Sequence, residues 1–362
     1  MIREPEKNIV MKKHVQNIIV MALLLCGIST QAQDIHFSQF YENAILRNPG
    51  LTGIFSGDFK AGVNYRTQWG NISVPFNTVY ATAETRIAVN EEVGDYVSFG
   101  VAFSYDKAGS ISFNSMQVYP AINYNKSMED DHNSYLSVGF AAGYIQRSVD
   151  INKMTFSSQY VNGNYSSSNP SGENISVTSL NNFDLGAGVS FNSSMGPNNA
   201  INYYIGASAF HVLQPKQTFA EINAFARNTM KWQGNLGFKA NITKQYSLTM
   251  HVNYSNQKPY QEWIGGGFLG WRSVSEQANN FALYAGLFYR LNDAFIPTLK
   301  MDYRTYTVAV SYDMNNSSLR PATNGVGGYE VSVFARGRLK KDKPNYQKCP
   351  HFEDVNNTFR DE

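Results

Sequence analysis

Residues able to do chemistry are few in this chain and widely scattered. The stretch GGGFLG at 265–270 has the G-x-G-x-x-G spacing of a dinucleotide-binding turn. That turn needs a strand, a tight bend and a helix whose N-terminus receives the pyrophosphate. Here the glycines lie within a strand-like run between Trp263 and Trp271, which reads as close packing or a bend. Past the leader described below, the histidines are His36, His132, His211, His251 and His351. None stands at ligand spacing from another, and neither H-E-x-x-H nor C-x-x-C occurs, so no metal site is expected. His132 follows Glu129, Asp130 and Asp131, an arrangement that could attract a cation but reads first as a charged turn. An enzyme built on strands would need a Ser or Asp brought to a His across them, and the G-x-S-x-G nucleophile turn is absent. The residues therefore point to neither an enzyme nor a cofactor.

A second set of charges takes its meaning from position. In strand-like stretches Lys60, Arg66, Asp106, Asp184, Arg290, Lys300, Asp302, Asp313 and Glu330 alternate onto the small, polar face. Charges inside a membrane protein are costly to place and either pair or line a path. Arg66, Asp106, Asp184, Arg290, Asp302 and Glu330 are thus candidate lumen charges. They would pair with one another or with a plug, or set transport selectivity.

What must position them follows from the leader and the composition. From Met11 the chain reads MKKHVQNIIVMALLLCGISTQAQ, with Lys12 and Lys13 before a short apolar run and Thr30 and Ala32 at the small-residue positions before Gln33. This has the form of a secretory signal peptide spanning residues 1–32. Its removal takes four basic and two acidic side chains from the 30 and 28 present, leaving no net charge. A nucleic-acid partner is not suggested, because that footprint needs a basic excess. Only Cys349 remains of the two cysteines, so no internal disulfide is expected. Charged residues make up 16% of the chain, while Tyr and Phe number 23 each. Few charges and many aromatics point to lipid, yet no later stretch is apolar enough for a membrane helix. A closed barrel is the remaining way to span a bilayer.

Period-two alternation supports that reading. In YVSFGVAFSYD, Val97, Phe99, Val101, Phe103 and Tyr105 share one face, and Ser98, Gly100, Ala102, Ser104 and Asp106 the other. NFDLGAGVSF, YSLTMHVNY and YTVAVSYD repeat the pattern. The strands are about ten residues long, with aromatics at the ends of the apolar faces, where a girdle at the lipid headgroups would sit. The expected fold is an all-β transmembrane antiparallel barrel over residues 58–340, with about fourteen strands. They lie near 58–68, 78–87, 95–106, 113–125, 134–147, 181–192, 200–212, 230–240, 244–255, 260–271, 280–291, 296–303, 305–314 and 328–339. Glu84 and Arg86 blur the alternation of the second. The longest connections, near 148–180, 213–229 and 315–327, follow odd-numbered strands and so fall on one side. Short periplasmic turns and long external loops are usual, so both termini are expected to be periplasmic. A polar tail occupies 341–362.

Ahead of the first strand, HFSQFYENAILRNPGLTG at 36–53 is too aromatic for a linker. It resembles the opening of the PorP/SprF family, with its F-S-Q-[FY] stretch leading to N-P-[AG]-x-x-G. The resemblance continues through NYRTQWGNISVPFNTVYATAET and YDKAG, and returns in DAFIPTLKMDYRTYTVAVSYDMN and GGYEVSV. Ile35 stands where the family commonly has Pro, and Gly50 where Ala is usual. The resemblance implies an outer-membrane component of the type IX secretion system that assists export or anchoring of cargo bearing C-terminal sorting domains, such as gliding adhesins. Its partners would be other components of that system, the cargo and outer-membrane lipid. A channel for small or hydrophobic solutes is the alternative. Residues 33–57 are expected to fold into or across the periplasmic mouth as a plug or docking surface. Phe37, Phe40, Tyr41, Asn48 and Pro49 would be its candidate contacts, with a short helix near 41–46 ended by Asn48, Pro49 and Gly50.

Overall fold

The computed structural model describes residues 34–72, 74–90, 93–129, 132–172, 177–219, 227–273 and 281–338. The expected leader and the tail with Cys349 lie outside these residues. Fourteen strands form one closed antiparallel barrel. They are β1 (Phe59–Gln68), β2 (Phe76–Asn90), β3 (Asp95–Ala108), β4 (Phe113–Glu129), β5 (Ser134–Ser148), β6 (Ser179–Met195) and β7 (Ile201–Phe210). The second half comprises β8 (Lys231–Asn241), β9 (Tyr246–Gln257), β10 (Tyr260–Arg272), β11 (Phe281–Arg290), β12 (Ala294–Tyr303), β13 (Tyr306–Asn315) and β14 (Val326–Gly337). Each strand pairs with its neighbour in sequence, and β14 closes on β1 from Phe59↔Gly337 to Gln68↔Gly328. Closure leaves no edge of unpaired backbone groups, which lipid could not satisfy.

The alternation decides which face is which. On β3, Phe99, Val101 and Tyr105 are exposed on the outside, whereas Ser98, Ala102 and Ser104 are buried inside. Aromatic hydroxyls mark one rim. Tyr65 donates to Asn77 at 3.0 Å, Tyr105 to Asn114 at 3.0 Å and Tyr144 to Asn181 at 2.9 Å, each reaching the next strand. Each ring thus stays against the apolar band while its hydroxyl meets a polar partner, as aromatic residues do at a lipid interface. This rim carries the connections that include 149–178, 211–230 and 316–325, and it is called here the long-loop end. At the opposite, tight-turn end β1 begins and β14 finishes.

Two prolines interrupt the ladder because they lack an N–H. Between β4 and β5 the pairing skips from Val118↔Tyr144 to Ala121↔Ala141 beside Pro120. Between β12 and β13 it skips from Thr298↔Ser311 to Phe295↔Met314 beside Pro297. The GGGFLG run lies inside β10, where a Cβ on Gly266 would come within 2.2 Å of the Leu287 carbonyl oxygen. Close strand packing accounts for the glycine there.

Candidate functional site

The lumen is occupied by the chain's own N-terminal segment. Instead of one helix near 41–46, the segment makes three short turns: Phe40–Glu42, Ala44–Arg47 and Pro49–Leu51. Asn43 breaks the expected helix at φ −98°, ψ 63°, and the Asn48 side chain accepts the Gly50 N–H at 2.8 Å to start the last turn. So few residues cannot sustain a free helix. Contacts with the wall set the path.

The His36 carbonyl accepts a hydrogen bond from Arg66, near the long-loop end of β1. Asp58 follows the segment at the tight-turn end, where its N–H donates to the Gly337 carbonyl at 2.7 Å. Residues 36–57, expected to fold into or across the mouth, therefore begin inside the barrel and run most of its height. The reason lies in the wall, which offers partners at every level.

Near the long-loop end those partners are charged. The Glu330 carboxylate accepts the backbone N–H groups of Ser38 at 2.7 Å and Gln39 at 3.0 Å. Arg66 pairs with Asp313 at 3.0 Å and lies 3.8 Å from Glu330. Ser38 Oγ donates to Asp313 at 2.6 Å and accepts from Arg290 at 2.7 Å. Arg290 also pairs with Asp293 at 2.8 Å and Asp313 at 3.2 Å. Gln39 donates to Ser311 at 3.2 Å and accepts from Ser332 at 2.5 Å. The F-S-Q stretch is thus read by the wall through both its backbone and its side chains.

Lower down the contacts are aromatic. Phe37 packs on Tyr80 with ring centroids 5.6 Å apart. Phe40 meets Phe288 edge-on, and Tyr41 stacks between His251 at 5.3 Å and Phe288 at 5.2 Å. Each fully buried large side chain contributes roughly 1.5–3 kcal/mol relative to exposure, so Phe37, Phe40, Tyr41 and Ile45 together resist withdrawal strongly. Glu42 is clamped between Lys300 at 2.6 Å and Lys60 at 3.2 Å.

The N-P-G stretch rests on a shelf without side chains. A Cβ on Gly188 would lie 1.9 Å from Asn48 Oδ1, and one on Gly139 would lie 2.2 Å from the Pro49 carbonyl oxygen. Asn48 Nδ2 donates to the Val189 carbonyl and to Asn235, both at 3.0 Å. Asn123 donates to the Thr52 carbonyl at 2.8 Å, and Ser190 Oγ to the Gly50 carbonyl at 2.8 Å. Toward the exit, Glu84 accepts the Gly53 N–H at 2.9 Å and Arg86 donates to the Phe55 carbonyl at 2.7 Å.

Phe37, Phe40, Tyr41, Asn48 and Pro49 are therefore all buried against the wall. Among the candidate lumen charges, Arg66, Arg290 and Glu330 touch the segment. Asp106, Asp184 and Asp302 instead stitch the wall. Asp106 accepts from Thr78 at 2.6 Å, Asp184 from Tyr119 at 2.8 Å while pairing with His211, and Asp302 from Thr307 at 2.6 Å. Reading the sequence missed Glu42, Arg47, Asn123 and the glycine shelf. It also treated Glu84 and Arg86 as noise in the alternation. Their signal was present, since both lie on the inward parity of β2 with Tyr80 and Thr82.

A closed antiparallel barrel with an apolar outer face, a polar inner one and an aromatic rim is an outer-membrane barrel, here with its lumen filled from within. In structure it is similar to the toluene transporter TbuX of Ralstonia pickettii, at 10% identity and TM-score 0.50 over 81% of this chain and 93% of that one. A Pseudomonas aeruginosa FadL homologue aligns at 10% identity and TM-score 0.48 over the same shares. At such identity the likeness concerns the fold alone. The chain belongs to the PorP/SprF family of type IX secretion system membrane proteins, whose family model matches residues 29–334. No curated protein matches it in sequence.

Proposed function

We propose that this barrel assists the export or surface anchoring of cargo proteins with C-terminal sorting domains, gliding adhesins among them, as a docking and transfer element. Family membership supports a place in type IX secretion. The occupied lumen is the observation that favours docking over free passage: a solute would have to displace a segment held by Glu330, Arg66 and the Tyr41 stack. In this reading the tight-turn end faces the periplasm and meets other components of the apparatus. The long loops face outward, and Phe37, Phe40, Tyr41, Asn48 and Pro49 hold the segment as a plug. Outer-membrane lipid contacts the outer face.

Deleting the gene tests the reading. Adhesin-type cargo should remain cell-associated or be degraded, and the intact gene should restore its display. Normal surface display combined with lost uptake of a small apolar solute would instead favour a channel.

A further inference from the structure

Within the N-terminal segment, Arg47 is a buried cation with no ion pair among the described residues. The residue is 6% exposed, its Nη1 donates to the Tyr204 hydroxyl at 2.8 Å, and its guanidinium lies over the Tyr204 and Phe40 rings. Its Nε has no acceptor among the described residues, and none of their carboxylates pairs with it. Of the nearby anions, Glu42 is already shared by Lys60 and Lys300, and Glu84 accepts the Gly53 N–H. Buried charges in folded proteins are paired or bind ions, because an unpaired one keeps its full desolvation cost.

Beside Arg47 lies a cavity of about 20 Å³, lined also by Lys60, Glu84, Tyr41, Ala44, Leu51 and Tyr204. Such a volume holds one water-sized particle. We propose that this cavity is a binding site for a small monovalent anion of halide size, held by Arg47 and Lys60 between the plug and the wall. The aromatic and aliphatic part of the lining excludes larger, strongly hydrated anions, and the Glu84 carboxylate in the same lining disfavours a divalent one. Because the site is shared by plug and wall, occupancy would stabilise the plugged barrel by mass action. The site does not depend on the cargo reading above.

The test uses the full-length protein in detergent, melted in sodium bromide, chloride or gluconate at one ionic strength, with folding read from heat-modifiable mobility. Bromide and chloride should raise the melting temperature by several degrees over gluconate, saturably. Crystals grown in bromide should show anomalous density between Arg47 and Lys60. Ala44→Leu, which fills the cavity and leaves Arg47 in place, should fold and lose the halide response. Arg47→Gln should lose it as well. Equal melting in all three salts without anomalous density would overturn the proposal, as would a halide response that Ala44→Leu retains.

Discussion

Glu330 is inside the barrel at full burial, and its carboxylate is shared by Ser38, Gln39, Asn64 and Arg66. Removing one member of such a set leaves the others desolvated and unmatched. Glu330→Ala should therefore destabilise the folded barrel by about 3–5 kcal/mol, the usual range for breaking a buried pair. Asp106 is only half-buried, and its Thr78 hydrogen bond ties neighbouring strands. Asp106→Asn should cost less than Glu330→Ala, with weakening of the Thr78 hydrogen bond accounting for about 0.5–1.5 kcal/mol. Urea unfolding from lipid vesicles measures both, and equal losses would mean that burial at Glu330 does not set the energetics.

Among the elements, the N-terminal segment depends on its seat. Gly188 and Gly139 let backbone and amide groups of the N-P-G turn approach the wall more closely than any side chain would allow. Gly188→Val should leave the strands paired but displace the turn. The expected signature is a barrel with normal heat-modifiable mobility, new ion conductance in planar bilayers and protease cleavage within residues 36–57. Deleting 36–57 should give the same conductance, larger and without gating. A silent bilayer in both cases would show that another part of the chain closes the lumen.

For the molecule as a whole, the bilayer is the solvent for the outer face. Val101 lies outward near the middle of β3, and Val101→Arg should cost about 2–4 kcal/mol, as charges do at the midplane of such barrels. Vesicle folding measures this, with the rim substitution Tyr105→Arg expected to cost markedly less. Orientation is tested on intact cells. A cysteine placed at Ser167, exposed in the connection between β5 and β6, in a Cys349→Ala background should react with a membrane-impermeant maleimide if the long loops face outward.

Strand number, strand limits to within a few residues and the two faces of the wall were all legible in the sequence. Each is written locally: alternation has a period of two, lipid demands an apolar side, and closure demands an even ladder. Even the inward charges could be assigned by parity. Their partners could not, because the choice among them is made in space. Ser38 meets Glu330 across 292 positions of sequence, and nothing in either stretch distinguishes that contact from pairing with Asp106 or Asp184. The path of residues 36–57 was undetermined for the same reason. An aromatic, turn-rich segment announces that it needs cover, but where it finds cover depends on a wall whose glycines and charges come together only when fourteen strands close.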